Sequence, residues 1–421
     1  MRRVSAPSAR EGCLPKAEAS ARSLLASSRS PGKSLHFVSA RCAKGRFTMR
    51  SVLVRDIIEP DRNNFTLLRL VAALAVLVSH AFFLRAGTRA DEFVGTTVYN
   101  LGDHAVNVFF VLSGLTVAAS LARCRNSIDF IIARALRIFP GLILCTIVIV
   151  ASGIVLAECG VANYLEDARV LEYMVKTISL STGAAELPGL FRHNPYPSVV
   201  NGSLWTLKFE FLCYLLLALM GSMRLLTPGM MTKLLPIGFV AVAAFLAYRH
   251  GGQPDQLVQF ARFWLSFSFG VALFLFRDRI VLSWGVAVGL GAAMWFVLGT
   301  GLERTVAPIA IGYLAVVLGT VRLRWLRHAT NKLDLSYGVY IYSWPISQAV
   351  LTAWPDIGTT NLICLSALLA MGIAALSWRL VEKPSLDLTD ILDQRDRDYC
   401  IAALRSRCCS VGADVCGAGG R

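Results

Sequence analysis

This chain is poor in charge. Only 16% of its 421 residues are Asp, Glu, Lys or Arg, while 55% are apolar, whereas soluble domains carry about 25% charged residues. Eleven cysteines are present, but none forms a CxxC pair and none joins a His/Cys cluster at metal spacing. That excludes zinc-ribbon and thioredoxin-like chemistry, so we expect no structural metal and no disulfide. Cys145, Cys213 and Cys364 fall inside apolar runs, where a thiol behaves as a small apolar side chain. No GxSxG pattern surrounds a serine, which removes the nucleophile-elbow hydrolases. The absence of an internal repeat disfavours the inverted-repeat transporters.

What the chain has in quantity is apolar length. Mean hydropathy is +0.57, and runs of helix-spanning length recur near 65–84, 104–122, 138–157, 204–223, 234–249, 258–276, 281–298, 304–321, 334–353 and 360–380. The expectation is an all-α polytopic membrane bundle of about ten transmembrane helices. The net charge of +15 suggests nucleic acid until its placement is read. Arg123, Arg134, Arg137, Arg224, Lys233, Arg277, Arg324 and Lys332 fall in or beside alternate connections, and the connections between them carry Asp91, Glu158, Glu172, Asp255, Glu303 and Asp356. That is the positive-inside pattern, so both termini are expected in the cytoplasm, with membrane lipid and not nucleic acid as the partner.

Three regions are expected. Residues 1–48, rich in Arg, Ser and Ala, read as a disordered extension upstream of a natural start at Met49; 49–386 form the transmembrane domain; 387–421 read as a disordered cytoplasmic tail. The first apolar run is expected to serve as a signal anchor. Residues 158–202 form the longest stretch that does not span, and the NPYPSVVNGS segment ahead of the fourth span bars a continuous helix through Pro195 and Pro197.

Against this apolar background a few side chains stand out. The first span, from Asn63 to Leu84, holds Arg69 and His80. Eleven residues at about 1.5 Å and 100° each put them roughly 16 Å apart on one face. Intramembrane ionisable groups persist where they face a protein interior or a wet cavity. Arg134 and Arg137 are an i, i+3 pair at the inner surface, and a doubled guanidinium fork suits a polyphosphate. In the second span, Ser113-Gly114 reduces the bulk of one face, so a neighbouring helix can approach. In the fourth, Glu210 and Tyr214 share a face at i, i+4, and Lys208, Arg69 or His80 could supply the partner that a buried carboxylate requires. Tyr337, Tyr340 and Tyr342 read as belt aromatics, Trp344-Pro345 as a disturbance of the ninth span, Gln348 as a group seeking a hydrogen-bond partner, and Glu382 as a cap or interface ion pair.

These segments, in order, are NNFxxLRLxAAxxVxxSH, VNVFFVLSG, RALRIFP, NGSLWTLxxExxxY, LSYGVYIYxWPIxQ and VEKP. Together they resemble the acyltransferase-3 family of integral membrane acyltransferases, over about Asn63 to Leu386. The resemblance implies acyl transfer, commonly of acetyl, from cytoplasmic acyl-CoA to a hydroxyl of a cell-envelope or secreted carbohydrate. It places the chain in the bacterial inner membrane, with acyl-CoA as co-substrate and no permanently bound cofactor. Its Arg-x10-His corresponds to Arg69 and His80, and its RxxR to Arg134 and Arg137. On that basis His80 is expected as general base or acyl carrier, Arg69 as a charge-balancing or donor-fixing group, Glu210 as its orienting partner, and Arg134 and Arg137 as the holders of the CoA phosphates. Ser113, Asn107, Trp205, Tyr214 and Gln348 are expected to contact substrate. Two departures stand out: Asn107 replaces an acid found in many members, and Ser343 precedes Trp344-Pro345 where many have His. Other glycan-assembly proteins are the expected partners. The competing reading is a transporter or flippase for lipid-linked saccharides, which a polar membrane interior also suits.

Overall fold

The computed structural model describes residues 52–88, 98–124, 126–181, 186–249, 255–321 and 323–388. The extension expected over 1–48 and residues 389–421 of the expected tail lie outside them. Helices α1 (Phe65–Ala86), α2 (Leu101–Arg123) and α3 (Ser127–Leu156) are followed by the short α4 (Val161–Glu166) and α5 (Ala168–Ile178). Then come α6 (Leu207–Ser222), α7 (Pro228–Tyr248), α8 (Gln256–Leu275), α9 (Trp284–Val297), α10 (Glu303–Leu318), α11 (Arg324–Lys332), α12 (Ser336–Ala353) and α13 (Thr359–Ser377). A π-turn at Trp378–Glu382 carries α13 onward to Leu388. One two-residue ladder, β1 (Val52–Leu53) with β2 (Val281–Leu282), pairs Val52 with Leu282.

Each of the ten apolar runs lies on a helix, but among the described residues seven helices are long and apolar enough to cross a membrane. The other three runs lie on α9, α10 and α12. Helices α9 and α10 have 14 and 16 residues, about 21 and 24 Å at about 1.5 Å per residue. Helix α12 is long enough but too polar. Its Ser343, Ser347 and Gln348 are nevertheless fully buried, so that polarity faces protein instead of lipid.

Several helix starts carry side-chain caps. Asn100 accepts from the Asp103 amide at 2.7 Å, Asn126 from the Ile128 and Asp129 amides at 2.9 and 2.8 Å, and Asp255 from the Val258 amide at 2.8 Å. The spans of α2 and α8 are 67% and 61% buried, against 11% for α7, so α2 and α8 form the centre and α7 faces outward. The central pair touches at Gly114 and Gly270. A Cβ on Gly114 would meet the Phe267 carbonyl oxygen at 2.0 Å, and one on Gly270 the Val111 oxygen at 2.1 Å. The close approach expected at Gly114 is therefore made, and its partner is α8.

Pro345 does not break α12. It withholds the amide that would bond the Ile341 carbonyl, and that oxygen accepts from Asn201 Nδ2 at 2.8 Å and from Cys145 Sγ at 3.5 Å. The proline thus frees an acceptor that anchors the 194–203 segment within the bundle.

Gly270→Ala should lower the melting temperature in detergent by an amount corresponding to about 1–3 kcal/mol, the usual cost of overpacking. Gly291→Ala, in α9 with open space around it, should leave it unchanged or raise it slightly. Equal melting temperatures for the two variants would show that α2 and α8 do not touch there.

Candidate active site

Two polar cavities lie inside the bundle. The first, of about 270 Å³, is lined by Arg69, Arg123, Arg134, Arg137, Ser113, Thr116, Ser120, Glu210, Tyr214, Tyr337 and Tyr340 among others. Arg69 donates to Thr116 Oγ1 at 2.7 Å and to the Leu112 carbonyl at 3.4 Å, so its guanidinium is held by α2. Glu210 accepts from the Tyr214 hydroxyl at 2.5 Å, and Ser113 donates its one proton either to Tyr214 Oη at 3.0 Å or to Glu210 Oε1 at 3.4 Å. No cation lies in salt-bridge contact with Glu210 among the described residues. Lys208 points outward to Gln256 Oε1 at 3.2 Å, which removes it as the expected partner.

The two arginines of the RxxR pair are not equivalent. Arg137 forms a 2.5 Å salt bridge to Asp334, which also accepts from Ser336 at 2.6 Å, and its guanidinium stands 5.7 Å from the Trp378 ring centre. The π-turn brings Glu382 close by: it is 3% exposed and accepts from Ser377 at 2.8 Å. Glu382 is therefore a buried acid beside the cavity wall, which corrects the expected cap or interface pair. Among the described residues Arg134 has only a 3.5 Å contact to Ser120, and its Nε has no hydrogen-bond partner. Asp334 thus neutralises Arg137, while Arg69, Arg123 and Arg134 remain to meet an anion.

The second cavity, of about 310 Å³, is lined by His80, Ser79, Asn100, Asp103, Trp205, Thr206, Gln259, Arg262, Arg304 and Tyr340 among others. His80 Nδ1 lies 3.4 Å from Ser203 Oγ, and the imidazole packs edge-on against Trp344 with centroids 4.8 Å apart. Arg69 and His80 therefore open from one helix into two different cavities. Arg262 is fully engaged: it donates to Asp103 Oδ1 and the Asp103 carbonyl, each at 2.7 Å, and to Asn107 Oδ1 at 2.9 Å, and it lies 4.4 Å from the Tyr99 ring centre. Burial pushes the Tyr99 phenol up to about 12, against the pull of Arg262, so Tyr99 is a neutral donor to the Arg304 carbonyl at 3.2 Å.

Of the expected substrate contacts, Ser113 and Tyr214 line the first cavity and Trp205 the second. Asn107 and Gln348 line neither. Asn107 is committed to Arg262, and Gln348 accepts from Asn194 Nδ2 at 2.7 Å and donates to the Tyr196 and Val199 carbonyls at 2.8 and 3.1 Å. Tyr340 and Tyr342 are buried at 7% and 2% exposure, which corrects the expected aromatic belt. The reading missed Ser203, Thr206, Thr116, Asp103 and Arg262. Of these, Asp103 and Arg262 carried a signal: each is an ionisable group at or inside an apolar run.

An acyltransferase-domain family model matches residues 62–380. A protein named nodulation protein 10, from Rhizobium leguminosarum bv. viciae, is 30% identical over 79% of this chain and 96% of its own length. An O-acetyl transferase of Shigella phage Sf6 is 30% identical over 76% of this chain and 95% of its own length. No solved structure shows a significant match.

Arg137→Ala should destabilise the protein by about 3–5 kcal/mol, because it leaves Asp334 buried without its cation, and adding Asp334→Asn should recover part of the loss. Arg134→Ala should leave the melting temperature near wild type. Equal effects of the two arginines on thermal unfolding would refute the inequivalence.

Proposed function

The chain belongs to this acyltransferase family, and from that membership we propose that it moves an acyl group from acyl-CoA to a hydroxyl of a cell-envelope or secreted carbohydrate. The observation that carries the reading is the pair of cavities, one lined by four arginines and the other by His80, on opposite stretches of the same helices. The arginine cavity opens beside the basic α2–α3 connection, the side that the charge asymmetry assigns to the cytoplasm. In a bacterium that membrane is the inner one. Guanidinium groups suit the phosphates of CoA. The histidine cavity combines Trp205, a face on which a sugar ring can stack, with Asp103, Asn100 and Gln259 as hydrogen-bonding groups for hydroxyls. The O-acetyl transferase name among the relatives favours acetyl as the group moved.

In this scheme His80 is the general base. With Nδ1–H donating to Ser203 Oγ, the lone pair on Nε2 accepts the proton of the acceptor hydroxyl. The hydroxyl oxygen attacks the thioester carbon, a C–O bond forms and the C–S bond breaks. His80 returns its proton to the sulfur, which leaves as CoA thiol. Arg69 lies on the donor side, where it helps fix the CoA end of the donor.

The test is the O-acyl content of the host's surface or secreted polysaccharide, read by proton NMR in a deletion strain complemented with different variants. Wild type should restore acylation. His80→Ala should lower it by about 10²–10⁴-fold, the range of general-base catalysis, and Arg134→Ala should weaken donor use at limiting acyl-CoA. Full acylation with His80→Ala at normal membrane levels would remove the base assignment. Unchanged acylation in the deletion with lost polysaccharide export would assign the protein to transport.

A further inference from the structure

Among the described residues, three side chains line both cavities: Val106, Thr206 and Tyr340. They come from α2, from the turn leading into α6, and from α12, so the two chambers meet where these three segments meet. Tyr340 donates its one hydroxyl proton to the Ser203 carbonyl at 2.7 Å, which leaves it as acceptor for Thr206 Oγ1 at 2.6 Å. Phe109 packs edge-on to the Tyr340 ring at 5.7 Å and steadies it from the α2 side.

Resting on the acyl-CoA reading above, we propose that the acyl-bearing end of the donor crosses between the chambers at Thr206 and Tyr340. These two residues, with Val106, set the size and charge of the acyl group that is transferred. The crossing is closed by neutral hydroxyl contacts and one aliphatic side chain, with no salt bridge. A thioester arm entering from the arginine side can replace such contacts, since its carbonyl and amides offer equivalent hydrogen bonds. None of the three side chains that line both cavities among the described residues is charged, so a small uncharged acyl group such as acetyl passes. A carboxylate-bearing one such as succinyl would be desolvated there without a partner. Ser203 links the crossing to the base: its carbonyl holds Tyr340 and its hydroxyl faces His80 Nδ1 at 3.4 Å. Tyr340 and Thr206 are therefore specificity-determining and positioning residues.

The test uses the full-length protein in nanodiscs, with acetyl-, butyryl- and succinyl-CoA as donors and CoA binding followed by calorimetry. Wild type should prefer acetyl. Thr206→Ala and Tyr340→Phe should raise the butyryl-to-acetyl ratio of kcat/KM by about tenfold, the scale on which a pocket discriminates single methylenes. Val106→Phe should cut acetyl transfer by about a hundredfold, as a blocked approach does, while CoA still binds. An unchanged donor ratio in both truncations, or full-rate transfer by Val106→Phe, would overturn the crossing. The truncations only remove atoms and decide the matter if Val106→Phe fails to fold. A wild type that binds no CoA and uses none of the donors would sink the donor reading itself, and the crossing with it.

Discussion

No polar group within the hydrocarbon-flanked part of this protein can turn to water, so each must find its partner in the bundle or open into a cavity. An unmet peptide group in such a place costs several kcal/mol, and an unpaired charge costs at least as much. That constraint explains contacts that otherwise look unrelated. The carbonyl released by Pro345 is met by Asn201 and Cys145. The buried Gln348 side chain uses both its amide ends on the 194–199 segment. Arg262 makes hydrogen bonds to Asp103, Asn107 and Gln259, and its guanidinium also faces the Tyr99 ring. Two of the groups left without a partner among the described residues, Arg134 Nε and Ser79 Oγ, lie on cavity walls.

Helix α12 collects the consequences. It is too polar to lie against lipid, so it is buried, and its polar groups then draw an irregular segment into the bundle to satisfy them. Trp344 Nε1 donates to the Val199 carbonyl at 3.0 Å and Thr352 to Asn194 Oδ1 at 3.1 Å, and Tyr340 reaches Ser203. The segment ends in the turn that begins α6, which carries Ser203 to His80 and Thr206 to the junction of the cavities. A polar helix, a proline and an asparagine-rich loop are thus parts of one arrangement, and its product is the setting of the histidine.

The helical class, the positions of the helices and several polar residues that line the arginine cavity were legible in the sequence, because hydropathy and i, i+3 or i, i+4 spacing are local quantities. Arg69, Ser113, Glu210, Tyr214, Arg134 and Arg137 do share one chamber. What stayed hidden depended on contacts between distant segments. Spacing alone cannot tell that Asp334 neutralises Arg137 and not Arg134, since the two carboxylate-facing geometries differ only in how α3 packs on α12. Nor can it tell a buried tyrosine from one at a membrane edge, because both occur next to polar residues near a helix end. Gln348 was read as a polar group needing partners, and those partners proved to be a side chain and carbonyls of the chain itself, while Asn107, expected at substrate, turns its Oδ1 to Arg262. Asp103 and Arg262 could have been paired from the rarity of charge in their surroundings, but only tertiary structure brings α2 against α8.

The division into two chambers bears on the chemistry proposed. A single water-filled path through the bundle would let protons leak and expose a thioester to hydrolysis, and it would lower the strength of every electrostatic contact inside. Separate chambers keep the cationic groups and the imidazole apart. They place a partition of neutral side chains between an end suited to a polyphosphate and an end suited to hydroxyl groups. Because Arg69 and His80 are three turns apart on one rigid helix, neither chamber can shift far along that axis without the other. The donor and acceptor sides are therefore held at a fixed separation, and the pieces left to move between them are side chains. On the proposed reading, the acyl group is the only part of the donor that needs to cross, which is why a partition of three residues suffices.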